Sequence, residues 1–516
     1  MNLYSLLEQN FPQDRSAIAI ETHDGLLYTW DDLTRATSKL ANLLISLNLP
    51  QGSRVAAMVE KSAEALFLYL ATLKAGLVYL PLNSAYQSAE IGYFFGNAQP
   101  AVVVCGSKNF SWVSKIAAQC GSQHVFTLDE NRQGTLLARA SGYSDLSKTV
   151  AREDGDLAAI IYTSGTTGRS KGAMLTHRNL ASNAQVLKTY WAWQRDDVLL
   201  HALPIFHVHG LFVACHGALL NGSKMIWLPK LDLDQLIKHI PRSTVMMGVP
   251  TFYVRLLGDA RFNAHLCRNM RLFICGSAPL LTETFNEFKQ RSGHTILERY
   301  GMSETNMLVS NPYQGRRVAG SVGLPLPGTE VRLVDDAGAV CGQVNNKGEI
   351  GNVQVRGPNV FKGYWRMPEK TREEFTQDGW FKTGDLGRWG SVKGEAAHSE
   401  SIPDDYLCIV GRSKDLIITG GYNVYPKEIE DLVDDLPGVA ESAVVGVPHK
   451  DFGEVVVAVV VPKSGASLDA QKIIAELKTK IANYKVPKRV EIVTELPRNA
   501  MGKVQKNLLR EKIKAA

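Results

Sequence analysis

The stretch "LAAIIYTSGTTGRSKGAMLTH", Leu157 to His177, holds the decisive reading. It opens as an apolar run of strand length and passes without a break into a loop. From Tyr162 to His177 there are six serines and threonines, three glycines and the cations Arg169 and Lys171. Glycine lets a backbone approach an anion and turn its N–H groups toward it, and hydroxyls add donors. In open α/β sheets ligands gather at the carboxyl ends of strands, so a strand feeding such a loop points to phosphate. The string does not match G-x-x-x-x-G-K-[ST], which separates it from the P-loop of kinases and GTPases. A glycine-rich turn alone is equally well a polar surface turn, and the rest of the chain has to decide.

Outward from that loop, short β-branched runs alternate with helical patterns. "RVAAMVE", "AVVVCGS", "HVFTLD", "DVLLHALP", "KMIWLP", "TVMMGVP" and "RLFICGSAP" read as strands. Leu33, Ala36, Leu40, Leu43, Leu44 and Leu47 recur on a 3.6-residue period, and Thr29 and Asp32 suit a capped helix start. Strands separated by helices predict crossover units and mainly parallel, buried sheets. After Gly323 the texture changes to hairpins with glycine turns, which predicts a smaller β-rich unit. Near "VGRSKDLIITGGYNVYPKEIEDLV" it changes again, to a short strand pair, a Gly-Gly turn and a helix opening at Pro426 with Glu428 in its first turn. The domain boundary is placed at Arg412–Lys414, dividing the chain into 1–411 and 412–516.

Composition narrows the class. The 516 residues are 45% apolar and 21% charged, which suits a globular protein of more than one domain. A net charge of +6 without a basic block gives no nucleic-acid footprint. Seven scattered cysteines without a C-x-x-C read as free thiols in a reducing compartment. "MNLYSLLEQNFPQDR" does not read as a signal peptide, and "ALFLYLATL" at 65–73 is too short to span ~30 Å of hydrocarbon. A cytoplasmic location and no membrane span are expected.

Six strings then arrive in a characteristic order: "YTSGTTGRSKG" at 162, "ERYGMSET" at 298, "FKTGD" at 381, "VGRSKD" at 410, "GGYNVYPKEIE" at 420 and "PRNAMGKVQK" at 497. With them the chain resembles the adenylate-forming enzymes, which include acyl-CoA synthetases, firefly luciferase and peptide-synthetase adenylation domains. Within that superfamily it is most similar to malonyl-CoA synthetases, through "LPIFHVHGLF", "MGVPTFYVRLL", "LFICGSAPL", "GPNVFKGYWRMPEKT" and "LPRNAMGKVQKNLLR". The resemblance implies a large AMP-binding and acyl-substrate domain of two α/β subdomains with mainly parallel sheets plus a small β-rich subdomain. It also implies a small, mobile α+β C-terminal lid. The implied chemistry is attack of a carboxylate on the α-phosphate of ATP, giving an acyl-AMP and pyrophosphate, followed by displacement of AMP by the thiol of coenzyme A.

The resemblance also assigns roles. Thr163, Ser164, Gly165, Thr166, Thr167, Gly168 and Lys171 would form the loop over the β- and γ-phosphates. Tyr300, beside Gly301, would stack on adenine, with Gly276, Ser277 and Ala278 on the adenine side. Thr305 would touch phosphate and Glu304 would hold Mg²⁺, which accepts one or two carboxylates plus phosphate oxygens. Read without the resemblance, Glu304 is an acid at a helix start. Asp385 and Arg412 would hold the ribose, Lys414 would be the hinge, and Gly420 and Gly421 would border the CoA tunnel. Lys503 would bridge carboxylate and α-phosphate in the first step only, while Lys506 reads as a solvated charge. A lysine exposed on a moving lid is also a candidate for acetylation, which makes a lysine acetyltransferase and deacetylase candidate partners. His207 would stand beside the carboxylate under attack, and the pair His207 and His209 lacks the third ligand of a zinc site.

The acid remains to be named. Malonate carries a second carboxylate, which cannot be buried without a partner. Arg255 and Arg299 match the positions that hold it in malonyl-CoA synthetases, and a guanidinium fork suits a carboxylate. Malonate is therefore the expected substrate and methylmalonate a second candidate. A short-chain, fatty or aryl acid is the alternative. The polar stretch 393–405, "KGEAAHSESIPDD", reads as an inserted surface loop.

Overall fold

The computed structural model describes residues 1–163, 170–341, 348–391, 401–419, 422–449, 452–499 and 502–515. Five members of the glycine-rich loop, Ser164, Gly165, Thr166, Thr167 and Gly168, lie outside these, as do Gly420 and Gly421 and residues 393–400 of the polar insertion.

Among the described residues the strands gather into four sheets. The first runs in space as His124–Thr127, Val102–Cys105, Arg54–Met58, Val78–Pro81, Leu157–Thr163, Lys171–Thr176. Its pairs are parallel except the last. The decisive stretch is thus an antiparallel hairpin, with Thr163 opposite Lys171 at its mouth. The second sheet runs Leu324–Pro325, Asn306–Ser310, Leu297–Met302, Leu272–Cys275, Val245–Gly248, Val198–His201, Lys224–Trp227, Ile18–Thr22, Leu27–Thr29. Its centre is parallel and both edges are antiparallel.

The helices obey their sequence patterns. Helix Trp30–Ser46 starts with a full capping box between Thr29 and Asp32 and buries Leu33, Leu40, Leu43 and Leu44. Helix Ala63–Lys74 is buried at every residue, which explains an apolar run with no polar face. One continuous cluster of buried side chains joins both parallel sheets through it, including Leu66, Leu70, Val55, Leu199 and Met246.

A third, antiparallel sheet runs Val340–Cys341, Glu330–Val334, Gly351–Arg356, Phe381–Trp389, Leu407–Arg412. It is the β-rich unit expected after Gly323, and its last strand ends at Arg412. The fourth sheet runs Tyr422–Val424, Ile417–Thr419, Gly453–Pro462, Val439–His449, with Arg489–Ile492 pairing Gly453–Pro462 in parallel. Helix Pro426–Asp434 packs on it, and its core, which includes Ile417, Ile429, Val433 and Val456, is a cluster of its own. Among the described residues no helix is long and apolar enough to cross a membrane.

Candidate active site

Charged side chains from the second and third sheets, Arg299, Asp385 and Arg412, and from the turn that carries Glu304 lie within electrostatic reach of Lys503. Lys171 lies at the mouth of the hairpin, its ammonium 4.5 Å over the ring of Tyr364 and 3.4 Å from Glu374. The hydroxyl of Tyr364 donates to Oε1 of Glu304 at 2.9 Å. Glu304 lies in the turn between strands Leu297–Met302 and Asn306–Ser310, so the helix start that its bare sequence suggests does not exist. Burial raises its carboxyl, while the Tyr364 hydroxyl, Lys171 and Lys503 act in the other direction. Thr305 is fully buried, and its carbonyl accepts from Asn359 Nδ2 at 2.8 Å.

Tyr300 donates to Oδ2 of Asp385 at 2.5 Å. Burial, then Asp385, holds the phenol well above its usual range. Asp385 and Arg412 are direct partners across adjacent strands, with Arg412 Nε 3.3 Å from Oδ1. Each oxygen of this carboxylate thus has one protein donor beside it. Gly301 is required by packing: a Cβ there would lie 2.0 Å from the Asn306 carbonyl oxygen. The turn after Cys275 is strained at Ser277, whose φ of 72° is left-handed without being glycine. Its hydroxyl lies 3.3 Å from Nδ1 of His209, and Ala278 beside it is half-buried.

Arg299 comes from the strand Leu297–Met302. Its guanidinium lies flat across Gly276, where a Cβ would come within 2.4 Å of Cζ. Arg299 is 3% exposed, and neither Nε nor Nη2 has a partner among the described residues. Burial lowers it to about 10 despite Cys275, Tyr253 and Glu298 nearby. His207 is pushed down to about 3 by burial, with Lys503 and Arg299 adding to the effect, so it stands neutral beside them. Arg255 differs: it is exposed on helix Pro250–Leu257 and lines a cavity of about 290 Å³ with Leu203, Thr251, Phe252, Arg498 and Gly502. The two arginines paired by the sequence reading occupy different surroundings.

Lys503 reaches this space from the C-terminal part of the chain. Its backbone N–H donates to Asn499 Oδ1 at 3.0 Å, and Arg498 donates to the carbonyl of Gly502 at 2.5 Å. Gly502 has φ 73° and abuts Thr251. Burial and Arg412 bring the amine down to about 8, against Asp385 and Glu304. Lys414 is exposed in the short turn Ser413–Asp415, directly after the third sheet's last strand. Lys506 is a correction: it is not a solvated charge but pairs with Glu430 at 2.6 Å, tying the last helix to Pro426–Asp434.

Residues 7–365 match the model of the AMP-binding enzymes, and residues 428–503 match that family's C-terminal domain. The chain belongs to the AMP-binding enzyme family. Among relatives of this AMP-binding enzyme, a malonate–CoA ligase of Arabidopsis thaliana is 32% identical, over 96% of this chain and 86% of that one. The ATP-bound structure of MatB from Rhodopseudomonas palustris is 51% identical, covers 99% of both chains and superposes with a TM-score of 0.94. The apo structure of the same protein, with the same coverage, gives 0.84.

The AMP-binding enzyme also contains site residues that sequence reading left unassigned. Tyr364 was visible only as part of "GPNVFKGYWRMPEKT". Glu298, one residue before Arg299, is buried and raised to about 7 by burial, and accepts from the Leu280 N–H at 3.4 Å. His201 ends its strand and joins two regions, with Lys61 Nζ 2.7 Å from Nδ1 and the Gly210 carbonyl 2.9 Å from Nε2. It thereby fixes the loop that carries His207. The one signal for it was its position at a strand's carboxyl end.

Proposed function

We propose that this enzyme is an AMP-forming malonate–CoA ligase that makes malonyl-CoA from malonate, ATP and coenzyme A through malonyl-AMP. The observation that carries the choice of acid is the buried guanidinium of Arg299, with two nitrogens unpartnered. A buried cation without a partner is costly, and a second carboxylate on the substrate is the anion that would complete it. A monocarboxylic acid would leave it bare.

In the first step a carboxylate oxygen of malonate attacks the α-phosphorus. The bond to the β-phosphate oxygen breaks and pyrophosphate leaves. Lys171, with Thr163 and the glycine-rich loop, meets the β- and γ-phosphates. Protonated Lys503 bridges the attacking carboxylate and the α-phosphate, where charge builds up. Asp385, Arg412 and Tyr300 hold the nucleoside, with Gly276, Ser277 and Ala278 along the base. The donor set fits Mg²⁺: Glu304 presents a buried carboxylate, held at Oε1 by the Tyr364 hydroxyl, on the same tyrosine that carries the phosphate lysine. Mg²⁺ held there would neutralise phosphate charge. In the second step the thiolate of coenzyme A attacks the acyl carbonyl and AMP leaves. His207, kept neutral by burial, stands beside that carbonyl.

The two steps need different surroundings, and we assign them to two orientations of 412–516 on 1–411, pivoting at Lys414. The separate core of the C-terminal part supports this, as does the better agreement with the ATP-bound relative than with the apo one. Lys503 serves the orientation described here, and Gly420 and Gly421 the other. Lys503 is also the proposed target of a lysine acetyltransferase and deacetylase, since acetylation would remove the charge the first step needs. None of the seven cysteines forms a disulfide, which supports a reducing, cytoplasmic setting.

The test is a panel of malonate, methylmalonate, propionate and an aryl acid with ATP, Mg²⁺ and coenzyme A. AMP and thioester formed with malonate ahead of the monocarboxylates is expected. Equal use of propionate, or release of ADP, would overturn the assignment.

A further inference from the structure

The two charged groups assigned above to the triphosphate end, Lys171 and Glu304, come from different parts of the chain, and one side chain touches both. Tyr364 donates its hydroxyl to Glu304 Oε1 at 2.9 Å, and its ring lies 4.5 Å beneath the Lys171 ammonium. The ring is 3% exposed.

Its backbone is held just as closely. Residues 362–365 run antiparallel beside the hairpin strand that begins at Lys171. Lys362 N–H donates to the Met174 carbonyl at 2.9 Å, Met174 N–H to Gly363 at 3.0 Å and Trp365 N–H to Gly172 at 2.8 Å. Tyr364 N–H donates to Thr371 Oγ1 at 2.9 Å. Gly363, with φ 128°, has room for no side chain, since a Cβ would lie 2.6 Å from Thr371 Cγ2. At the other end, Phe361 N–H donates to the Glu304 carbonyl at 2.7 Å. The five residues 361–365, Tyr364 among them, therefore span the lysine strand and the glutamate turn.

We infer that Tyr364 is a positioning residue for the triphosphate site: its hydroxyl aims the Glu304 carboxylate and its ring face seats the Lys171 ammonium. The inference rests on the proposed function, which gives those two groups their tasks. The hydroxyl holds Oε1, which fixes the direction in which the carboxylate meets a cation. The ring seats one side of the ammonium while Glu374, 3.4 Å away, holds it from another, and the ring face keeps it in place at little desolvation cost. One aromatic thus fixes the spacing between a negative and a positive group that must grip the same ligand from two sides.

The two contacts can be removed separately. ATP binding to the full chain is measured by titration calorimetry, first in EDTA and then with excess Mg²⁺, with no acid and no coenzyme A present. Tyr364→Phe keeps the ring and removes the hydroxyl. Its metal-free ATP affinity should stay within about twofold of wild type, while the gain on adding Mg²⁺ shrinks about tenfold. Tyr364→Leu removes both contacts, and its metal-free affinity should also fall, by about threefold. Spin resonance of Mn²⁺ with a non-hydrolysable ATP analogue should show weaker metal retention in Tyr364→Phe. A Tyr364→Phe variant with the full Mg²⁺ gain would overturn the inference, as would equal losses with and without metal, which a packing role produces. If wild type itself shows no ATP binding in either condition, the proposed function fails first.

Discussion

The walls of the site and the loop that carries Lys503 are held in contrasting ways. In the walls, each charged group is fixed by the body beneath it: Arg299 across Gly276, Glu304 by Tyr364, Asp385 between Tyr300 and Arg412. These sit on strands or strand turns over the large buried core. The Lys503 loop is fixed by its own neighbours, Asn499 and Arg498, on a part of the chain with a separate core. Across the seam, Lys463 and Glu283 form an exposed pair at 2.7 Å, of the kind worth about 0–1 kcal/mol. A Cβ added at Gly502 would lie 3.6 Å from Thr251 Oγ1, beside the cavity that Arg255 lines. In the proposed two-orientation cycle the walls stay and the C-terminal part moves. A wall residue should then matter in both half-reactions and a lid residue in one.

The largest effect expected is that of Lys503→Ala. Formation of malonyl-AMP, followed by pyrophosphate release, should fall roughly 100- to 1,000-fold, the usual loss for one donor aimed at developing charge. Lys503 must be protonated, and its amine lies at about 8. Bound nucleotide anions can only raise that value. The first half-reaction should therefore fall as pH rises through and above about 8, and the second should not follow it. A pH profile of each half-reaction checks this.

Next comes Arg299→Ala. Removing one partner of a buried charge pair costs about 2–5 kcal/mol, so kcat/KM for malonate should fall about 30-fold or more. Propionate has no second charge to strand and should lose little, while methylmalonate should suffer as malonate does. Parallel losses on all three acids would make Arg299 a packing residue only. Lys414→Pro follows, with a severalfold slowing of thioester formation and less change in adenylation, because proline restricts the pivot and the residue before it. Stopped-flow measurement of both steps would expose a pivot lying elsewhere. Arg255→Ala should be smallest, within about twofold on malonate, because surface changes away from special contacts usually cost under about 0.5 kcal/mol. A loss comparable to that of Arg299→Ala would place Arg255 on the carboxylate after all.

Much of the fold was legible because its signals are local. Each short β-branched run between Arg54 and Cys275 became a strand, and Thr29 with Asp32 capped its helix. Pairings over long sequence distance were not legible. Nothing near Ile18–Thr22 announces that Ile20 pairs in parallel with Met225, nor that Leu27–Thr29 forms the sheet edge. For Glu304 the acidic residue itself was readable, but its turn is set by Phe361 and Tyr364, more than fifty positions away, and their contacts override a local helix signal. Arg299 and Arg255 look alike as letters, and only burial separates them. Lys506 looked solvated for the same reason: Glu430, its partner, lies on another helix.

The most direct measurement supplies preformed malonyl-AMP and coenzyme A to wild type, Lys503→Ala and Arg299→Ala, and follows thioester formation in a single turnover. The walls-and-lid account predicts a near wild-type rate for Lys503→Ala and a strong loss for Arg299→Ala, whose target carboxylate is present in both steps. Equal losses in the two variants would contradict it, because the lysine would then belong to a site that never rearranges.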